Sequence, residues 1–523
     1  MMTRYNSKTG HNLPNDNVRL QSNAGTALII TVIAMFIITS ATVAVLFLTA
    51  NALHLNGKQA AGATAFNIAE SGAEIAALWL KTQPSPPDVI YAFDPFGGKQ
   101  SLDGGHYQVT IYPDPDNATS YLKTFRIVSV GDVHGSTKTI EVVVKQASFG
   151  RYAYFTDKET SSIGGGAIWW KAGERVDGPV HSNNRNGSNF QINYNGSYSP
   201  IFLDIVTGAG SSITYSPRRP RDEATFKRIF ADGSKGFKLG VTPIPLPEST
   251  DVQKSAAWGS SAGFPSTNGV YLRADMQGGI YIRGDAGITL STDTDGNQKF
   301  TITQGTKTTV ITLNRYTRTI STSGPMGSGS PTSATSLGTG VIYCTGHITS
   351  LKGEVADNLV VNGEIAVRSS FTIATDVNAG KTINITNNIY YRTRPDKTRD
   401  SDDYVNLAAG TLGLVAKDII IDSTAPRNLE INAVCMAGGQ NTTSGSFYVE
   451  NYDSKTPTGT LTVLGGIIQK ARGPVGTFNS STGQTSTGYA KNYSYDPRLV
   501  VNPPPFYPTT GQYERLSWRL LPN

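Results

Sequence analysis

Between Thr26 and Ala50 the chain carries no charged residue. Few folded states accommodate such a stretch. About 25 residues exceed the ~20 a helix needs to cross a hydrocarbon core. A secretory signal peptide has a shorter apolar core and an A-x-A-like exit. Here the run leads into "GKQAAGATAFNIAESGAEIAALWL", where Ala65, Ile68, Ala69, Gly72, Ala76 and Leu80 recur at helical spacing with Glu70 and Glu74 among them. One continuous helix is predicted from about Thr26 to Leu80, roughly 80 Å long. Its first half suits lipid. Its second half is amphipathic and requires a partner surface, which a plain anchor does not.

The residues ahead of this helix are polar, mildly basic and end in Gly25. A basic leader ending in Gly25, followed by "TALII" and an apolar helix, resembles the class III signal of type IV pilins. The resemblance implies a leader over 1–25, cleavage by a prepilin peptidase between Gly25 and Thr26, and methylation of the new N-terminal residue. The run "AFNIAESGAEIA" is similar to the N-terminal domain of PilX-type minor pilins, which carry an Ala-Glu-small-Gly pattern at this place. The likeness covers about residues 20–85. It implies packing against other pilins through the helix, with Ile30, Glu70 and Glu74 as the positions of interest. Most pilins have Glu at the fifth mature position; counted from Thr26, that position is Ile30. An acid there neutralises a neighbour's terminal amine in the apolar filament core, where a lone charge is costly. Isoleucine argues against ordinary incorporation along the fibre, and a similar gap marks some minor subunits thought to sit at the tip.

After a Pro- and Gly-rich loop over 81–104, "HYQVTIY", "TFRIVSVGDV" and "TKTIEVVVKQ" alternate apolar and polar residues. They predict an antiparallel meander with one buried face, covered by the helix. With the loop it makes a small pilin-like head over 81–149. From 150 to 490 the pattern changes. Runs such as "GIYIRG", "GVIYC", "FTIA" and "LTVLGGIIQ" are short, β-branched and punctuated by Gly, Asn or Asp. A sandwich fits this spacing; a right-handed parallel β-helix fits it better, because the pattern lasts more than 300 residues. "RVDGPVHSN" and "KNYSYDPRLVVNPPPFYPTTGQYERLSWR" are similar to stretches of large PilX-type proteins with such bodies. The fold class expected is therefore mainly β: a long transmembrane and amphipathic helix (26–80), a pilin-like α+β head and a β-helix body. Segment 491–523 is Pro-rich and aromatic. Exposed, it is a partner ligand; packed, it covers the body, and Tyr507, Tyr513 and Trp518 favour packing.

The chemistry-bearing constellations are weak. His181 has no base, nucleophile or metal partner nearby in sequence, so a turn or solvent-lining histidine is expected. "DTDGNQ" (293–298) alternates Asp293, Asp295 and Asn297 as calcium loops do but lacks the later glutamate; a hairpin turn is expected. "RDSDD" (399–403) is an acidic cluster, read as a solvated loop ahead of a cation site. Trp169 and Trp170 beside "GGG" are candidate ligand-binding residues as a sugar platform, or else a plug for an open solenoid end. Cys344 and Cys435 fit no metal spacing and are expected to be buried thiols. No metal and no cofactor is expected. The 45 Lys and Arg against 39 Asp and Glu are scattered, which leaves no nucleic-acid footprint.

The reading the resemblance implies is of a structural, non-enzymatic subunit, a minor pilin or pseudopilin-like protein that primes, caps or decorates a type IV filament or adheres through its large body. It is inserted in the inner membrane by residues 26–50 before assembly, its body lies outside the cytoplasm, and it is carried on a filament or the cell surface afterwards. The partners implied are other pilins, the assembly machinery, the prepilin peptidase, membrane lipid and surface glycans. Two rivals remain: a membrane-tethered β-helix enzyme or binding protein acting on polysaccharide, and a surface protein with a simple, uncleaved anchor.

Overall fold

The computed structural model describes residues 24–522 except 84–85, 88, 119–120, 162, 165, 186–189, 197, 260–262, 274, 276, 335–336 and 395–407. The leader up to residue 23 and the acidic cluster 399–403 lie outside the described residues.

A single helix, α1 (Ala24–Thr82), runs for 59 residues. Its C-terminal half lies on an antiparallel sheet formed by β1 (Gln100–Leu102), β2 (Gly105–Pro113), β3 (Thr124–Val133) and β4 (Ser136–Ser148), with the C-terminal strand Thr509–Leu521 beyond β4. Strict alternation in β3 puts Phe125 and Ile127 on the helix side. They meet Ala65, Ile68, Ala69, Ala73, Ala76 and Leu80 of α1. The helix face is mostly alanine, so the backbones approach closely: a Cβ on Gly131 would stand 2.1 Å from the Ala65 carbonyl oxygen.

The body is held together by three parallel ladders. In the longest, one residue from each strand stacks in register: Ile280, Ile342, Ile373, Leu414, Cys435, Ile467, Tyr154, Val180, Val206 and Phe237. A second ladder stacks Ile348, Ile383, Ile419 and Phe447. A third stacks Ile389, Ile431, Val463, Tyr493, Val176 and Phe202. The inward columns form one apolar core. The other face of the first ladder is buried too, under a connector that includes the helix Asp251–Trp258 and under residues 498–507. Burial on both faces explains the unbroken apolar runs "VIYC" and "TLGLVA".

The stacking order is not the chain order. The chain enters the ladder at Tyr154, advances to Phe237, returns along the outside to Ile280, and advances again until Ile467 pairs with Tyr154. The body therefore contains a seam, where strand Gly459–Arg472 lies against strand Tyr154–Ser161.

The expected placement of 491–523 on the body needs correction. Residues up to Tyr495 belong to the third ladder. Leu499 and Tyr507 pack on the body. From Thr509 the chain leaves the body and pairs antiparallel with β4. The expected three-stranded meander is thus five-stranded. The body is an insertion between two neighbouring strands of the head, and at its neck the Phe149 amide donates to the Pro508 carbonyl at 3.0 Å.

Candidate functional site

The first half of α1 is bare. Leu28, Ile30, Phe36, Leu46 and Leu55 are each more than half exposed. The helix is long and apolar enough to cross a membrane by length and composition. Four of its hydroxyls are satisfied within it: those of Thr31, Thr39, Thr42 and Thr49 donate to the carbonyls of Ala27, Met35, Ile38 and Val45. A lipid-facing helix requires internal satisfaction of this kind. Gly25 and Thr26 lie in its exposed first turn.

The three positions of interest on the helix are not brought together. Ile30 is on the bare half, about 60 Å from Glu70 at 1.5 Å per residue. Glu70 is half-buried beside the docked face. Glu74 is exposed and pairs with Arg515 of the C-terminal strand at 3.6 Å. Phe66 meets Trp518 edge-to-face, with ring centroids 6.1 Å apart. The C-terminal strand therefore reaches the helix as well as the sheet. Arg519 of that strand donates at 2.7 Å to Glu141, which also accepts from Arg126 at 3.2 Å. These hydrogen bonds and charges hold the Glu141 carboxyl below its usual range. Neither arginine was singled out from the sequence, since Arg519 lies 378 residues from its partner.

In the body, Trp169 and Trp170 separate. Trp170 is fully buried among Tyr154, Phe202 and Tyr493. It cannot serve as a surface platform, because its bridge to the buried Ile192 sets it in the core. Trp169 is half-buried and lines a cleft of about 250 Å³ with Lys171, Glu174, Tyr452 and Lys491. Behind the cleft, two ion pairs cross the seam: Arg472 with Glu159 at 3.1 Å, and Lys491 with Glu174 at 2.9 Å. Burial pushes the Lys491 amine down to about 8 against the opposing pull of Glu174.

The remaining candidates are structural. His181 is buried, bonded to Thr207 at 2.8 Å and Asn183 at 3.0 Å, and its proton affinity is lowered by burial. It stacks on Phe155 in the covered face of the first ladder. Asp293 accepts from the amides of Asp295 and Asn297, tying the turn of a hairpin. Cys344 and Cys435 are buried free thiols. Among the described residues no group of three His, Cys, Asp or Glu is placed to hold a metal.

A family model described as a domain of unknown function, DUF4900, matches residues 121–211. That stretch runs from the head sheet across the neck into the first strands of the body. No curated protein matches. The competence-associated pilin ComZ from Thermus thermophilus aligns over 88% of this chain and 98% of its own at 14% identity, with a TM-score of 0.27. An overlap that low does not bear on the fold.

Proposed function

We propose that this chain is a minor, PilX-like structural subunit of a type IV filament. Residues 26–50 hold it in the inner membrane before assembly, and the body is carried on the outside. One observation carries the reading: a single unbroken helix is bare and apolar over its first half and docked under a small antiparallel sheet over its second. That division lets one helix serve first as a membrane span and then as a packing element among other subunits. The body is read as a right-handed β-helix, supported by its three in-register parallel ladders. Its role is priming, capping or decorating the filament, with adhesion through contacts between the body and surface glycans. Bulk supports a minor subunit, since a body of this size on every subunit would crowd a closely packed helical core.

The test is the mature N-terminus, read by mass spectrometry on membranes. Cleavage between Gly25 and Thr26 with a methylated Thr26 is expected, and Gly25→Leu leaves the uncleaved precursor. Shortening by about 25 residues in that variant refutes processing by the peptidase. Placement follows from Ile30. Without an acid at the fifth mature position the subunit cannot meet the amine of an earlier one, which suits entry first and residence at the tip. Gold label on the body should mark one end of sheared filaments; label along their length refutes tip placement.

A further inference from the structure

Where the head meets the body there is a cleft of about 390 Å³. The head contributes Tyr121 from the loop before β3 and Lys145 from β4. The body contributes Arg318, Arg368 and the turn Gly338–Gly340, and Phe506 closes one side. Among the described residues that line it, three are cations and none is acidic. Arg318 is held at φ 65°, in the left-handed region where a residue with a Cβ is uncommon. Its amide donates to the Asn314 carbonyl at 3.0 Å, and its guanidinium donates to the Arg368 carbonyl at 2.8 Å. Strain of this kind persists where surrounding structure enforces it, often at ligand-binding sites. Burial opposes the charge on Arg318. Lys145 is lowered by burial and then by the charge of Arg368, while Glu514 and Asp114 act in the opposite sense. Glu514 is itself paired with Arg151. Three like charges therefore converge on one concave surface, which raises the local concentration of anions. Beside them the rings of Tyr121 and Phe506 lie 4.7 Å apart, centroid to centroid, tilted by 37°, and add apolar surface.

We propose that this cleft binds a small oxyanion-bearing ligand, a carboxylate or phosphate group carried on a sugar or free. Arg368 and Arg318 grip the anion from the body and Lys145 from the head. The ligand would bridge the two units, since its counter-charges come from both. The inference is independent of the filament reading. The test is calorimetric titration of the full chain in polyoxyethylene-ether micelles with inorganic phosphate, glucuronate, glucose and a short oligodeoxynucleotide at matched ionic strength. Saturable one-site binding of phosphate or glucuronate is expected, and none of glucose. Tighter glucuronate identifies an acidic saccharide as the source; tighter phosphate identifies the free ion. Arg368→Gln, at an exposed position, should weaken binding about tenfold, as expected for loss of a charge-assisted hydrogen bond, with an unchanged thermal midpoint. Arg318→Gln should weaken it similarly. Lys307→Gln removes an equal charge elsewhere on the surface and should have no effect. An equal loss in Lys307→Gln, absence of saturable heat with either anion, or binding of the oligonucleotide alone would overturn the proposal.

Discussion

Arg472 and Glu159 meet at 3.1 Å inside the body, each about 1% exposed, although 313 residues separate them in the chain. The contact crosses the seam between the ladder's last strand in chain order and its first. Glu159 also accepts from Thr156, and the Arg472 guanidinium lies 4.6 Å from the Trp170 ring centroid. Breaking one side leaves a buried charge without its partner. Arg472→Met is therefore expected to destabilise the body by about 3–5 kcal/mol. The double variant with Glu159→Met should recover most of that loss. Denaturant unfolding of the two single variants and the double variant measures the coupling; simple additivity would show that the pair does not hold the seam.

Alkaline pH should open the body above about 10. Burial raises the hydroxyls of Tyr154, Tyr391, Tyr493 and Tyr507 above their usual value and brings Tyr489 up to about 12. The folded state holds these protons more tightly than the unfolded chain. Their contribution is full below about 10 and is lost as pH rises through the folded values. Lys491 runs the other way. Its folded value of about 8 lies below the unfolded one, so stability should rise with pH from about 8 until the tyrosines intervene. In Lys491→Met that rising slope should shrink, leaving the part that comes from Lys145, Lys171 and Lys455, which burial also lowers. Tyrosinate absorbance and circular dichroism, followed together, should change in one step above pH ~10.

Gly131 should tolerate no side chain. Gly131→Val forces β3 away from α1, at a cost of about 1–3 kcal/mol or more for overpacking, and should expose the helix to protease. Gly57, with nothing within 4 Å of its would-be Cβ, is the contrast: Gly57→Ala should stabilise the helix by up to about 1 kcal/mol. Thermal melts with limited proteolysis distinguish the two. Equal behaviour would mean that the docked half of α1 is not closely packed.

Truncation after Pro508 should loosen the head and spare the body. It removes the strand paired with β4 and the Arg519 partner of Glu141. Hydrogen exchange should accelerate at the β4 amides that bond this strand and remain slow in Thr411–Ala416. Uniform acceleration would show that head and body unfold as one.

Much of the helix was readable, because 3.6-residue spacing is a local signal: Ala65, Ile68, Ala69, Ala76 and Leu80 were named from sequence and are buried. The strand runs of the body were readable for the same reason. Their order was not. Nothing local in "LGGIIQ" says that Ile467 pairs with Tyr154 rather than with the strand of the next chain segment. The tail misled because its aromatics asked for burial without saying where: Tyr507 found the body and Tyr513 the head. Trp170 stood open between a sugar platform and a plug, because nothing local in the sequence shows that Tyr154, Phe202 and Tyr493 enclose it. The charged groups of the seam and of the head–body cleft come from strands and turns far apart in sequence, so no motif announced them.

The insertion of the body between β4 and the C-terminal strand sets how the molecule carries load. A pull on the body reaches the head through two chain segments that leave side by side, joined where Phe149 donates to Pro508. The tension divides between two hydrogen-bonded strands that both contact α1. A single peptide break anywhere in the body leaves both pieces covalently tied to the head, one through β4 and the other through the C-terminal strand. The body is moored by two lines, and parting one of them does not set it adrift.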